Sequence, residues 1–175
     1  MKQTNNLGST GNFATQNADT LALMQLPNYM FVGATGRPIF YVLYSPTDIT
    51  NQWGSDIANL KAALDALRSS VQSAGLLNPY IVTLYDGTSS DLITAGTGMG
   101  ADAVGTYIGH LTGGNPQTYA AMATSVKNYW TTIASFGHIV PTCNFGYDPS
   151  PLNQLPPSFW TTNNVSVTEP TPTEL

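Results

Sequence analysis

Polar and aromatic side chains recur where the predicted strands of this chain end. In parallel α/β sheets these carboxyl ends carry the residues that bind substrate. Aromatic rings and short polar side chains together match the apolar C–H faces and hydroxyl edges of sugar rings. The pattern predicts a carbohydrate site, with Trp160 stacking on a sugar from a later loop. The strand-end residues of this predicted site are Tyr44, Tyr85, Asp86, Tyr107, His110, Asn144, Tyr147 and Asp148.

The tyrosines of this set are expected to form the walls of the site. Asp86 and Asp148 are the candidate catalytic groups and are expected to orient sugar hydroxyls. Glycoside hydrolysis usually needs two carboxyl groups, one acid and one base or nucleophile. Both glutamates, Glu169 and Glu174, lie at the end of the chain, which leaves aspartates for this role. A purely structural role is the alternative for both kinds of residue. Tyrosines at strand ends often only cover the core with their rings. For the two aspartates the structural role is favoured, because each precedes Gly or Pro, as residues in ordinary turns do.

The composition excludes several other classes of chemistry. A single cysteine rules out an internal disulfide and a cysteine-based zinc site, and two histidines alone cannot form a metal centre. No metal or organic cofactor is expected. The 175-residue chain has five basic and ten acidic residues without a basic cluster, so nucleic acid is not an expected partner. No apolar run approaches the roughly 20 residues that cross a bilayer, so no membrane partner is expected either.

The elements that must position the strand-end residues alternate between strands and helices. Apolar runs at 39–44, 80–85, 101–108 and 138–144 predict four strands. Helical spacing predicts long helices over 57–71 and 119–136, and shorter ones over 21–31 and around Leu92. This order predicts an α/β fold with a parallel sheet. Two architectures fit this order. One is a partial (β/α)8 TIM-barrel-like fold of about four strand–helix units, because a closed barrel needs about 250 residues. The other is a small open parallel sheet.

A single α/β domain, an incomplete barrel, is expected over residues 21–160. A flexible lead-in (1–20) precedes it and an irregular tail rich in Pro and Thr (161–175) follows it. The expected edge strands, 39–44 and 139–144, carry few protective charges, so self-association is expected. Only 9% of residues are charged, and this composition is typical of secreted carbohydrate-active proteins. An extracellular location is therefore expected, although the first residues lack the apolar segment of a signal peptide.

The order of several short motifs resembles the central part of glycoside hydrolase family 99-like (WbsX-like) domains. The resemblance covers about residues 21–175 and implies a (β/α)8 barrel that acts on polysaccharide or glycan chains. The matching pieces are Gly36-Arg37-Pro38-Ile39-Phe40, the strand end Tyr44-Ser45-Pro46, Pro79-Tyr80-Ile81-Val82, Gly100-Ala101-Asp102-Ala103-Val104 followed by Tyr107, His138-Ile139-Val140-Pro141, Gly146-Tyr147-Asp148-Pro149-Ser150-Pro151 and Pro172-Thr173-Glu174-Leu175.

The resemblance also indicates a missing part. The acidic motif of that family, an Asn-Glu pair with a further Glu downstream, matches no residue of this chain, so its status as an enzyme stays open. The expected function is a glycoside-hydrolase-like domain that acts on or binds glycan without the full pair of catalytic carboxylates. The alternative is a non-catalytic carbohydrate-binding module or a partner-binding α/β module.

Overall fold

The computed structural model describes residues 2–3, 13–33, 36–85, 87–106 and 118–142. Within these ranges the strands are β1 (Lys2–Gln3), β2 (Phe31–Val32), β3 (Arg37–Leu43), β4 (Tyr80–Leu84), β5 (Ala103–Gly105) and β6 (Ile139–Val140). The helices are α1 (Phe13–Met24), α2 (Pro46–Gln52), α3 (Ile57–Ser73), α4 (Ser89–Met99) and α5 (Tyr119–Ile133), which a short 3-10 helix (Ala134–Phe136) extends. None of the described helices is both long and apolar enough to span a membrane.

Five parallel strands form an open, curled sheet in the order β1-β3-β4-β5-β6. The register places Tyr41 beside Val82 and Val82 beside Ala103. From β3 to β6, helices connect each strand to the next, as parallel pairing of consecutive strands requires. The predicted α/β class with a parallel sheet is therefore confirmed. Closure into a barrel stays a prediction.

One face of the sheet packs against the helices. Alternate residues of β3, including Phe40 and Val42, are buried on this face, and Ile81 of β4 joins them. The helix α3 forms here because its apolar residues recur every three or four positions and so share one side. Each large side chain buried in this way contributes about 1.5–3 kcal/mol. The buried residues of α3 are Leu60, Ala63, Leu64, Leu67 and Val71.

The opposite face of the sheet is apolar as well. Val82, Leu84 and Ala103 are buried there. Strands with two apolar faces appear in a sequence as continuous apolar runs rather than as an alternation. This is the reason that β3 and β4 are conspicuous in the sequence. The partly buried residues that pack against this second cluster are Ile39, Tyr41, Leu43, Tyr80 and Val140.

Three parts of the structure differ from the sequence-based predictions. The first predicted helix begins at Phe13 rather than at residue 21, and it buries the polar residues Asn17 and Thr20. The short helix α2 was not predicted. The prediction that 39–44 forms an open edge is wrong, because β1 pairs with the end of β3 and β2 pairs with its beginning. The predicted tail, 161–175, lies outside the described residues.

Candidate functional site

Tyr44 and Tyr85 stack against each other at the carboxyl ends of β3 and β4. Leu43 lies beside Leu84 in the parallel register, so the residue after each strand reaches the same level. The backbone N–H of Tyr44 donates to the Leu84 carbonyl oxygen at 3.2 Å, which continues the ladder by one step. The ring centroids lie 4.7 Å apart and the ring planes are inclined by 27°. This geometry is a favourable stacked arrangement of two aromatic rings.

Tyr44 is the buried member of the pair. Its side chain is 5% exposed, and its hydroxyl donates a hydrogen bond of 3.2 Å to the backbone carbonyl of Asp91. Burial raises the pKa of Tyr44 above its ordinary value, and the neighbouring Tyr85, Asp91 and Tyr129 raise it further. The hydroxyl therefore stays protonated and donating at neutral pH. The buried Tyr44 ring thus forms a rigid platform on which the Tyr85 ring stacks, and the Tyr85 ring is partly exposed.

Tyr129 reaches the same edge from the helix α5. Its hydroxyl donates to the carbonyl oxygen of Gly87 at 3.1 Å. Gly87 in turn lies against the ring of Tyr85, so closely that a Cβ atom at this position would clash with the outer atoms of that ring. A larger residue there would displace the Tyr85 ring. Tyr44, Tyr85 and Tyr129 are here named the tyrosine cluster, and two of them bind the backbone near the start of α4 through the carbonyls of Asp91 and Gly87.

Asp91 adds a carboxylate next to this cluster. It lies in the first turn of α4, where its backbone N–H donates to the Thr88 hydroxyl at 3.2 Å and so begins the helix. The carboxylate is exposed and forms no hydrogen bond or ion pair with another described residue. A carboxylate can accept hydrogen bonds from sugar hydroxyls. The edge therefore combines an aromatic ring, an acceptor and a rigid backbone.

A groove of about 680 Å³ runs along α5 and includes Tyr129 in its wall. The exposed amide of Asn128 offers both donors and an acceptor to this groove. The hydroxyls of Thr124 and Thr132 donate to carbonyls of their own helix, which leaves their lone pairs available as acceptors. The remaining lining residues are Ala120, Ala121 and Ser125.

Sequence reasoning missed Tyr129 and Asp91 for different reasons. Tyr129 lies in the periodic apolar stripe of α5, and periodicity does not indicate where a hydroxyl points. Asp91 lies one helical turn beyond the strand end, so a search restricted to strand ends passes over it. The pattern Thr88-Ser89-Ser90-Asp91 resembles a capping box, and this signal indicates the start of α4 at this edge.

The structure describes only two of the predicted site residues, Tyr44 and Tyr85, and it brings them into contact. No group of three or more His, Cys, Asp or Glu side chains in the described ranges is arranged to hold a metal ion. Both predicted catalytic aspartates are outside those ranges, so their role stays a prediction. The predicted residues that lie outside are Asp86, Tyr107, His110, Asn144, Tyr147, Asp148 and Trp160.

Comparisons with known proteins identify no relative of this chain. The chain matches no protein-family model, no curated protein and no solved structure. The resemblance to family 99-like glycoside hydrolases therefore stays a hypothesis that rests on the order of the sequence motifs alone.

Proposed function

We propose that this chain is a carbohydrate-binding α/β domain and that the partly exposed ring of Tyr85, supported by the buried Tyr44 and Tyr129, is its binding surface. The observation that carries the proposal is the stacked Tyr44–Tyr85 pair at the carboxyl edge of the sheet. Stacking on a buried partner holds Tyr85 in one orientation, so little side-chain entropy is lost when a ligand packs against it. A sugar ring would lie with its C–H face on the Tyr85 ring.

Polar groups around the cluster would recognise the hydroxyl edge of the sugar. Asp91 supplies an acceptor on one side of the tyrosines, and Asn128 supplies an amide in the adjoining groove. Binding sites of this kind combine a mostly apolar surface with a few convergent polar groups. The proposed sugar would therefore span from Tyr85 towards α5.

Binding, rather than hydrolysis, is the activity proposed for these residues. Hydrolysis of a glycosidic bond usually takes two carboxyl groups on opposite sides of that bond. Among the described residues, Asp91 is the one carboxylate in the surroundings of Tyr44. The glycoside-hydrolase-like activity that the sequence resemblance implies would need Asp86 and Asp148 in addition.

A glycan array tests this function with two matched variants. Tyr85→Ala removes the exposed ring, and Tyr80→Ala removes a tyrosine from the opposite end of the same strand, β4. We expect Tyr85→Ala to weaken binding about tenfold, because a well-packed ring contributes on the order of 1–2 kcal/mol. Tyr80→Ala is expected to keep the wild-type affinity.

The opposite result would contradict the proposal. If wild-type protein binds a glycan and Tyr85→Ala binds it equally well, the tyrosine cluster is not the site. Circular dichroism melting of each variant separates a lost contact from a lost fold.

Partner binding is the second candidate function. In the part of the chain that the structure describes, four large apolar side chains are exposed: Leu23 (52%), Leu26 (47%), Met30 (62%) and Leu77 (55%). Three of them lie within eight residues between the end of α1 and β2, near the beginning rather than the end of β3. A partner protein bound there would be lost in a Met30→Ser variant and retained in Tyr85→Ala.

A further inference from the structure

Helix N-termini at the carboxyl edge of a parallel sheet are suited to bind anions. Their first N–H groups have no partner within the helix, and the helix dipole places a partial positive charge there. Phosphate and other anionic groups bind at this place in many α/β proteins. In this chain α4 begins next to the tyrosine cluster, because the Tyr44 hydroxyl donates directly to the Asp91 carbonyl.

The protein places its own negative charge at this helix end. Thr88 caps the helix and Asp91 lies in its first turn, where a carboxylate interacts favourably with the dipole. The attraction that an incoming anion would feel is therefore already cancelled by Asp91.

Four of the five basic residues are paired or exposed away from the tyrosine cluster. Arg37 pairs with Asp102 at the beginning of the strands, at the opposite end of the sheet. Lys61 and Arg68 both pair with Asp65 on α3, and Lys127 is exposed on α5. The fifth basic residue, Lys2, lies on β1 beside Val42. Among the described residues, the groups that raise the pKa of Tyr44 besides its burial are Tyr85, Asp91 and Tyr129, and none of these three is a cation.

We infer that the tyrosine cluster selects uncharged sugars over anionic ones and that Asp91 is the residue that sets this selectivity. This inference rests on the proposed carbohydrate-binding function and narrows its ligand class. Sulfated, phosphorylated and uronic sugars would bring a negative charge next to the Asp91 carboxylate, where like charges repel. Neutral sugars would use the same carboxylate as a hydrogen-bond acceptor.

The test compares glycans that differ only in charge. A suitable pair is methyl-esterified oligogalacturonate and its free acid, which differ only in the methyl groups that neutralise the carboxylates. At low salt we expect the neutral member of a bound pair to bind roughly two- to fivefold more tightly, which is the effect of one exposed carboxylate at a helix end. Added salt is expected to narrow this ratio, because it screens exposed charges.

An Asp91→Asn variant isolates the proposed residue. It keeps the shape and a hydrogen-bond acceptor but removes the charge, so the preference for the neutral member should fall by roughly two- to fivefold. Asp65→Asn removes the same charge from the surface of α3 and is expected to leave the preference unchanged. A preference that is equal in wild type and Asp91→Asn would overturn the assignment of Asp91.

Two further outcomes are separable. Anionic members that bind wild-type protein as tightly as neutral ones would overturn the selectivity but leave the proposed function intact. Absence of binding by every glycan, neutral and anionic, would overturn the proposed function and the selectivity with it. Titration with inorganic phosphate, followed by NMR, is an independent test of the selectivity. The backbone amide signals of Asp91 and Tyr85 should not shift when phosphate is added. Saturable shifts of these signals would overturn the proposed selectivity.

Discussion

Arg37 and Asp102 form an ion pair of 2.7 Å although the strand β4 lies between their own strands. Arg37 begins β3, and Asp102 directly precedes β5. The second oxygen of the carboxylate accepts a hydrogen bond of 2.9 Å from the backbone N–H of Ile81 in β4. Arg37 also donates to the carbonyls of Asn78 (2.8 Å) and Pro79 (3.0 Å). One carboxylate therefore links the amino ends of three strands.

Removing that carboxylate is expected to destabilise the fold measurably. The two side chains are 26% and 23% exposed, so the pair is partly protected from water. We expect Asp102→Ala to lower the free energy of unfolding by about 2 kcal/mol, because it leaves Arg37 and the Ile81 N–H without their acceptor. Asp102→Asn should lose about half as much, since an amide oxygen can still accept from Ile81.

Urea unfolding of these variants gives the measurement, with Asp65→Asn as the control. Asp65 pairs with Lys61 and Arg68 on an exposed surface, so its substitution should change the free energy by less than about 0.5 kcal/mol. Equal effects of Asp102→Ala and Asp65→Asn would contradict the proposed role of the link.

Gly105 and Gly98 are expected to respond in opposite ways to alanine. A Cβ at Gly105 would lie 2.6 Å from the backbone oxygen of Val140, so β5 and β6 would have to separate. Gly105→Ala should therefore cost about 2 kcal/mol. Gly98 lies inside α4, and a Cβ there would meet only the side chain of Ile57 at 3.1 Å. Gly98→Ala should be neutral or stabilise by up to about 1 kcal/mol, because alanine favours the helix.

The two glycine variants are compared by their midpoints of thermal unfolding. A Gly105→Ala protein as stable as Gly98→Ala would mean that β6 is not held closely against β5.

Thr83→Val is expected to stabilise the protein. Thr83 is fully buried on the helix-facing side of β4, and its hydroxyl has no hydrogen-bond partner among the described residues. Valine has nearly the same shape without the cost of a buried, unpaired polar group. We expect the free energy of unfolding to rise by about 1 kcal/mol in urea titrations. A loss of similar size would indicate that the hydroxyl is used in the folded protein.

Alkaline pH should weaken the fold through Tyr44. Burial raises the pKa of Tyr44 above its ordinary value, so the folded protein keeps the proton while the unfolded chain releases it above about pH 10. The unfolded chain then binds fewer protons, and the free energy of unfolding falls as pH rises further. Below about pH 10 this contribution is fully present.

Tyr44→Phe provides the comparison. Near neutral pH it should be less stable by about 1 kcal/mol, because the hydrogen bond to Asp91 is lost. Between about pH 10 and pH 11 its stability should decline less steeply than that of wild type, so the two curves converge. Parallel curves would contradict the role of Tyr44. Tyr119→Phe, at the beginning of α5, controls for loss of a tyrosine.

The sequence predicted those parts of the fold that depend on local patterns. The runs 39–44 and 80–85 are apolar and rich in β-branched or aromatic residues, and the helix over 57–71 repeats its apolar residues regularly. α1 was misplaced because its first eight residues are mostly polar, and burial of Asn17 and Thr20 comes from tertiary packing. The edge assignment failed because β1 and β2 have two residues each, which is too short for any pattern.

The candidate site was predictable only in part, for a similar reason. Tyr44 and Tyr85 each follow one of two consecutive predicted parallel strands, so the sequence alone predicts that they lie at the same edge of the sheet. The stacking of these two rings depends on side-chain geometry that residue spacing does not encode. The same is true of the hydrogen bond from Tyr129 to Gly87, which are more than forty residues apart in the chain. The same holds for Arg37 and Asp102, which are 65 residues apart in the chain.

The sequential order of β3 to β6 has a consequence for how the chain is made. Each of these strands pairs with the strand synthesised before it, so the sheet can grow in one direction while the ribosome is still adding residues. β1 is the exception, because Lys2 pairs with Val42 and Gln3 with Leu43. These two residues are thus joined to a strand that is synthesised 40 residues later, and the time before they can pair is the time taken to translate the whole segment between them.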